Sequence, residues 1–349
     1  MNRNLVKDFM ARFEALAAGA AAIGTLAIAD RSGLLGAMAG LGSVTAEELA
    51  GQGFDERYTV EVLAALAAAG VLTYEPESER FTLPAEHAAC LTDPASPYSL
   101  AGWLDMLTGA MKQIDRVAQA TVSGGGVPLA AYDERVVSGI DRLNSPGIRI
   151  LLTRRWLTAM PDVVARLEAG ARVADVGCGS GAAALAMAAA YPSSTVIGFD
   201  LDPRAIHRAE NHRRQAGLTN VSFERVAIED LPTELPFDLI TSFDVIHDLP
   251  RPREALDRIR EALAPGATFL MVEPAVEPDL EQNLHTRGAL LLGFSVLYCL
   301  PQSLVEGGMG LGTAWGPRRA EELCRSVGFG RFTRLAIDNP YSSFYRVEA

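Results

Sequence analysis

Residues 172–181 read RVADVGCGSG, an apolar run that ends on Asp175 and turns through Gly177, Gly179 and Gly181 into the helix-like AAALAMAAAY. Such a turn brings backbone without Cβ atoms against a ligand, beside a carboxylate and at the amino end of a helix. GCGSGA on its own also satisfies the loose dinucleotide pattern G-x-G-x-x-G/A. Two neighbours argue for a different ligand. Asp175 lies two residues before Gly177, where dinucleotide-binding strands are apolar, and its carboxylate suits a ligand ammonium group. About one βαβ unit later, GFDLDP (198–203) ends a second apolar run on Asp200, whose carboxylate can accept from both hydroxyls of a ribose. A ligand with an amino-acid ammonium and a nucleoside ribose is S-adenosylmethionine.

A second constellation is VIHDLP (245–250), where His247 precedes Asp248. A hydroxyl is a poor nucleophile until deprotonated, and a histidine of near-neutral pKa can take that proton as attack begins. The plain alternative is a histidine that closes a strand end without chemistry. His207 and His212 are five residues apart rather than four, so a helix does not present them together to a metal; with His87 they read as surface or structural.

These groups need a scaffold that alternates strands with helices. Strand-like runs occur at 172–176, 194–200, 221–227, 237–244 and 267–274, separated by helix-like segments at 181–190, 203–216 and 253–264. The pattern predicts an α/β fold, a Rossmann-like, doubly wound and mainly parallel sheet. Ligands of such sheets bind beyond the carboxyl ends of the strands, near the switch point. Asp175, the glycine loop, Asp200, Glu229, Asp230, His247 and Asp248 all fall there. Residues 332–349 are expected to close the domain as an antiparallel hairpin.

The chain of 349 residues exceeds one usual core, so two domains are expected. A net charge of −12, with Lys7 and Lys112 as the only lysines, opposes general affinity for nucleic acid. Cys90, Cys178, Cys299 and Cys324 form no CxxC pair, which argues against a disulfide framework and fits a reducing cytoplasm. The apolar run 15–29 follows Arg3, Lys7 and Arg12 as in a signal peptide, but Asp8 and Glu14 interrupt the basic region. That run reads as an Ala-rich packing helix, too short to span a bilayer. Next, Thr45 stands three residues before Glu48, a capping-box start. A longer helix over 55–72 and two short strands over 72–83 follow, and the set suggests a helical winged-helix domain over 1–94. Its second helix offers Arg57 among Asp55, Glu56 and Glu61, so dimerisation rather than DNA reading is expected. Residues 95–165 are expected as a helical connector contributing to the substrate pocket, with 121–134 as a flexible joint. Residues 166–349 form the cofactor domain, with an insertion at 275–315.

VADVGCGSG, GFDLDP and the stretch 237–274 resemble the class I S-adenosylmethionine-dependent methyltransferases. With the winged helix, the chain is similar to the small-molecule group holding plant-type O-methyltransferases and bacterial natural-product enzymes. The resemblance implies that Asp175, Gly177, Gly179 and Gly181 hold the methionine part, and Asp200 the ribose. It places Leu201 and Ile228 against adenine and Phe243 beside the cofactor. Ala227 stands where the family often has an acid, which makes Glu229 or Asp230 an alternative adenine partner. In the plant-type enzymes a His-Asp pair follows the fourth strand and the histidine is the general base. His247 and Asp248 match it, with Leu249 in place of the usual tryptophan. Some bacterial relatives that C-methylate α-keto acids hold iron with such a pair and a second histidine from the later insertion. Here Tyr298 and Cys299 stand where that histidine is expected, and His285 lies upstream, so no metal ligand is assigned.

The insertion carries HTRGALLLGFSVLYCL (285–300) and glycine-rich EGGMGLGTAWG (306–316), which fits a substrate-covering helix with a mobile hinge. Leu291, Phe294, Leu297 and Tyr298 suit an aromatic or lipophilic acceptor, and Trp103, Tyr132 and Trp156 of the connector are candidates to line its pocket; plain core packing is the alternative for all of them. The expectation is a homodimeric cytoplasmic enzyme of natural-product type. It would move the methyl of S-adenosylmethionine to a small aromatic molecule, O-methylation favoured, without nucleic-acid or membrane partners. The alternatives are C-methylation of an α-keto acid or indole-type carbon, with or without a metal, and a cofactor-binding transcriptional regulator without turnover.

Overall fold

The computed structural model describes all residues, Met1–Ala349. Two compact units are each built from two stretches: Met1–Gly109 with Glu134–Pro146, and Ala110–Asp133 with Gly147–Ala349. The stretch expected as a connector, 95–165, is therefore divided between them.

In the first unit, strands β1 (Ser43–Val44), β2 (Thr73–Glu75) and β3 (Arg80–Thr82) pair antiparallel in the order β1-β3-β2. The hairpin expected at 72–83 is present, and a third strand joins it. The capping box forms as read: Thr45 Oγ1 accepts from the Glu48 N–H at 3.2 Å, and Glu48 Oε2 accepts from the Thr45 N–H at 2.9 Å. The following helix, Glu56–Ala68, buries Val62, Leu63 and Leu66 against Leu35, Met38 and Leu49. Its exposed Arg57 is paired with Glu61 on the same helix, so that face keeps its acidic character. Gly102 and Gly139 let two helices meet backbone to backbone; a Cβ on Gly102 would lie 2.3 Å from the Gly139 carbonyl oxygen. Beside that crossing Arg142 reaches Asp30 with both terminal nitrogens at 2.7 Å, the bidentate geometry that guanidinium favours.

The apolar run 15–29 belongs to a much longer helix, Arg3–Arg31, which by length and composition could cross a membrane. The length argument against a span does not hold for the helix as built, while its first half still carries Arg3, Lys7, Asp8, Arg12 and Glu14. Within it only Leu26, Ala27 and Ala29 are buried.

The second unit holds a seven-stranded sheet in the order β6-β5-β4-β7-β8-β10-β9. Its strands are β4 (Arg172–Val176), β5 (Thr195–Asp200), β6 (Val221–Arg225), β7 (Phe237–Phe243), β8 (Leu263–Pro274), β9 (Arg331–Arg334) and β10 (Ser342–Glu348). β6, β5, β4, β7 and β8 run parallel, and β9 with β10 forms the expected antiparallel closure against β8. Helices cover both faces, which is why these strands read as apolar runs rather than alternations. Val176, Phe199, Phe237 and Phe269 fill one face; Val173, Val196, Leu239 and Leu270 fill the other. Each fully buried phenylalanine contributes about 1.5–3 kcal/mol over exposure. The order reverses beside β4, so the carboxyl ends of β4, β5, β7 and β8 converge on one edge.

Candidate active site

The glycine loop leaves β4 at Val176 and enters the helix Ala182–Ala190. Gly177 (φ 65°), Gly179 (φ 54°) and Gly181 (φ 84°) occupy the left-handed region that side chains avoid. A Cβ on Gly181 would also lie 2.6 Å from the Phe223 ring, whereas nothing stands within 4 Å of a Cβ on Gly179. The loop is thus packed at its end and open in its middle, the shape of a cradle. Asp200, at the end of β5, ties it down. Its Oδ2 accepts from the Gly179 N–H at 2.9 Å and its Oδ1 from the Asp202 N–H at 2.8 Å. Each oxygen keeps lone-pair capacity for a further donor. His212 Nδ1 lies 3.1 Å from the Ser180 carbonyl and supports the loop from behind.

Asp175 is buried, accepts from Thr241 Oγ1 at 2.7 Å and bonds the Ala184 N–H at the start of the helix. Desolvation raises its pKa to about 7, with the Asp200 charge adding to the rise. A carboxyl raised in the folded state stabilises below its unfolded range, and that contribution is lost as pH rises through about 7. The shift corresponds to on the order of 4 kcal/mol at full ionisation. We therefore expect the melting temperature of the ligand-free protein to fall between mildly acidic and mildly basic pH. In Asp175→Asn that slope should flatten; an unchanged slope would show that Asp175 does not carry it.

The polar centre lies at the ends of β7 and β8. His247 is buried with its Nδ1 2.6 Å from Glu273 Oε2, and Glu273 Oε1 accepts from the Ile246 N–H at 3.0 Å. Its Nε2 lies 3.2 Å from Asp248 Oδ1. The contact lacks hydrogen-bond alignment, and that oxygen is buried without a partner. Burial by itself would lower the His247 pKa; the Asp248 and Glu273 carboxylates override it and hold it well above its ordinary value. Burial raises the Asp248 pKa, partly opposed by the His247 charge. Cys299 completes the cluster, and burial pushes its thiol up to about 11.

Aromatic side chains stand beside it. Tyr132 meets Tyr298 edge to face with centroids 5.0 Å apart, and Phe294 lies 5.4 Å from Tyr298. Tyr132 Oη donates to the Leu297 carbonyl at 2.8 Å. The segment 121–134 is not the free joint expected from its glycines. Val127 N–H donates to the Pro301 carbonyl at 2.9 Å, and a Cβ on Gly126 would lie 2.4 Å from that oxygen. The glycine-rich run of the insertion is likewise tied to the loop 245–250, with Gly312 N–H donating to the His247 carbonyl and Met309 N–H to the Pro250 carbonyl.

A glycine loop open in its middle and a buried His–Glu pair on one sheet edge invite comparison with known proteins. Residues 167–296 match a family model described as a methyltransferase domain, and residues 19–93 match an Rv2258c-like winged HTH domain. The ubiquinone biosynthesis O-methyltransferase of Thiobacillus denitrificans is 35% identical over 201 residues, which cover 57% of this chain and 79% of that protein. The chain belongs to the class I S-adenosylmethionine-dependent methyltransferases. The trans-aconitate 2-methyltransferase of Methylobacterium nodulans is 36% identical over 126 residues, 36% of this chain. This methyltransferase spans less than half the length of that relative, 46%, and of the ubiquinone biosynthesis O-methyltransferase of Paracidovorax citrulli, 44%. Its fold is that of the mitomycin 7-O-methyltransferase MmcR, at TM-score 0.71 and 19% identity over 100% of both chains. Human N-acetylserotonin methyltransferase is similar at TM-score 0.71 and 18% identity, covering 99% of this chain and 97% of the human one.

The methyltransferase brings together most of the residues singled out in its sequence. Asp175, the three glycines, Asp200, His247 and Asp248 share the edge where the strand order reverses. Leu201 is exposed just beyond Asp200, and Glu229 is half-buried with Arg251 Nη2 3.5 Å from its carboxylate. Ile228 is packed in the core, and Phe243 faces Trp156 with centroids 6.4 Å apart. Trp103 belongs to the other unit and is buried in it. His285, weighed as a metal ligand, caps its own helix by accepting from the Gly288 N–H at 3.1 Å. Glu273 escaped the sequence reading. Its signal was an acid ending the otherwise apolar run FLMV, the same signal that singled out Asp175 and Asp200.

Proposed function

We propose that this chain transfers the methyl group of S-adenosylmethionine to a hydroxyl of a small aromatic molecule, with His247 as general base. One observation carries the reading: His247 Nδ1 is bonded to Glu273 while Nε2 is left facing the polar cluster. A carboxylate on Nδ1 fixes the tautomer in which Nε2 accepts a proton, and it stabilises the imidazolium that forms. Gly177, Gly179 and Gly181 would hold the methionine part of the cofactor and Asp200 its ribose, with Leu201 against adenine; the open space over Gly179 and the spare lone pairs of Asp200 fit this. When bound, S-adenosylmethionine supplies an electrophilic methyl on a sulfonium. The protein's part is then to position the hydroxyl in line, exclude water and take its proton at Nε2. Tyr132, Phe294 and Tyr298 supply ring faces for the acceptor.

The test is transfer of labelled methyl from S-adenosylmethionine to phenols, catechols, indoles and α-keto acids, each with and without a chelator. Label on a hydroxyl, insensitive to chelation, supports the proposal. Cofactor binding with no transfer to any acceptor would sink it in favour of a regulator. A second reading also has its observation: His247, Asp248 and Cys299 offer a nitrogen, an oxygen and a sulfur within 4.8 Å of one another. Imidazole, carboxylate and thiol suit zinc or ferrous iron, and Glu273 on the far ring nitrogen is the usual outer partner of a metal-bound histidine. Chelator-sensitive methylation of a keto-acid carbon would favour it.

A cytoplasmic homodimer completes the proposal. Leu5, Phe9, Phe13 and Leu16 are each more than half exposed and recur at helical spacing on the helix Arg3–Arg31, a stripe suited to a second copy. Sedimentation should give a dimer, and Phe9→Ser with Phe13→Ser should shift it to monomer. A monomeric parent protein would end this part.

A further inference from the structure

The glycine loop is pinned by a histidine that the proposed chemistry does not use. His212 sits in the third turn of the helix Pro203–Ala216, half-buried, with its Nδ1 3.1 Å from the Ser180 carbonyl oxygen. A carbonyl only accepts, so Nδ1 carries the proton and donates. The same helix meets the loop one turn earlier, where a Cβ on Gly181 would lie 3.1 Å from the Ala209 Cβ. Its first turn is fixed to the loop as well. Asp200 accepts from both the Gly179 N–H and the Asp202 N–H, and Asp202 caps the helix by accepting from the Arg204 N–H.

Gly177, Gly179 and Gly181 all hold left-handed backbone, and glycine loses more conformational freedom on ordering than any other residue. Such a loop binds only in the fraction of molecules that already hold its shape, and the apparent affinity falls with that fraction. Asp200 is one holder, but it is also the proposed ribose acceptor and would share its oxygens with the ligand. The His212 bond runs to loop backbone and to no group assigned to the ligand. We propose that His212 is a positioning residue for the methionine part of the cofactor. Its imidazole holds the Ser180 carbonyl, so that the loop has its binding shape before S-adenosylmethionine arrives. The inference rests on the reading of the three glycines as the methionine cradle and adds to it a residue that acts through the loop.

The experiment compares calorimetric affinities for S-adenosylhomocysteine and adenosine in the parent protein, His212→Leu and His212→Asn, well below their melting temperatures. Leucine keeps bulk and removes the donor, whereas asparagine puts an amide N–H where Nδ1 lies. Losing one neutral hydrogen bond should weaken S-adenosylhomocysteine binding to His212→Leu by roughly 5–10-fold. His212→Asn, with the bond restored, should stay within about 2-fold of the parent. Adenosine lacks the methionine part and should bind all three proteins alike. In turnover, the loss should fall on KM for S-adenosylmethionine rather than on kcat. His212→Ala, a strong helix former, gives the same reading should the leucine variant fail to fold. Unchanged S-adenosylhomocysteine affinity in His212→Leu would overturn the inference, and so would an equal loss for adenosine, which would make His212 a support of the whole site. Binding to His212→Asn as weak as to His212→Leu would overturn it too, because the hydrogen bond would then not be what matters. A parent protein that binds adenosine as tightly as S-adenosylhomocysteine would instead sink the reading of the loop as the methionine cradle.

Discussion

His247→Ala is expected to lower kcat by roughly 10²–10⁴, the usual worth of a positioned general base, with cofactor affinity little changed. The partners of the His247 ring are Glu273, Asp248 and Cys299 rather than the glycine loop's hydrogen-bonded groups. The pH dependence makes the role specific. A base must be neutral to act, so turnover rises with pH through the pKa of His247. The two carboxylates hold that pKa well above its ordinary value, which puts the acidic limb of kcat/KM on the alkaline side of a free histidine. Glu273→Gln removes one of those charges and loosens the tautomer. Its kcat should fall by less than in His247→Ala, and the limb should move to lower pH. A purely structural Glu273 would lower activity without moving the limb. Normal turnover in His247→Ala would remove both the base and the metal-ligand readings.

Asp200→Asn is expected to weaken binding of S-adenosylhomocysteine by about 10² or more, since hydrogen bonds to a charged acceptor are worth about 1.5–3 kcal/mol each. Two effects combine. The ribose loses its paired acceptor, and the Gly179 and Asp202 N–H groups, which share the carboxylate in the free protein, meet an amide that satisfies only one of them. Burial already raises the Asp200 pKa, opposed by the Asp202 and Gly179 N–H groups and by the Arg208 charge. Titration calorimetry at neutral pH measures the change. Unchanged affinity would take Asp200 out of the cofactor site, and a fall in kcat alone would place it in turnover instead.

The sequence by itself determined the alternating core and the carboxyl edge of its sheet, and the reason is local. Parallel strands covered on both faces must be apolar throughout, so runs such as RVADV and FDLITSF announce their positions, and the acid or glycine that ends each run marks its carboxyl end. The capping box of Thr45 and Glu48 was legible for the same reason, because both partners lie within one turn. What only the tertiary structure decided depends on residues far apart in the chain. Glu273 meets His247 from a different strand, Cys299 joins the cluster from the insertion between β8 and β9, and Tyr132 comes from ahead of the first strand of the sheet to pack on Tyr298. The glycines of 124–126 looked like a joint because glycine permits flexibility and close packing alike; only the position of Pro301 shows that Gly126 serves the second. The helix Arg3–Arg31 is longer than the apolar run 15–29 because that run marks only its Ala-rich part, while the first half spaces Leu5, Phe9 and Phe13 among charged residues and leaves them exposed. A side chain's partner is set by where the backbone brings another element, and spacing along one strand or helix does not record that.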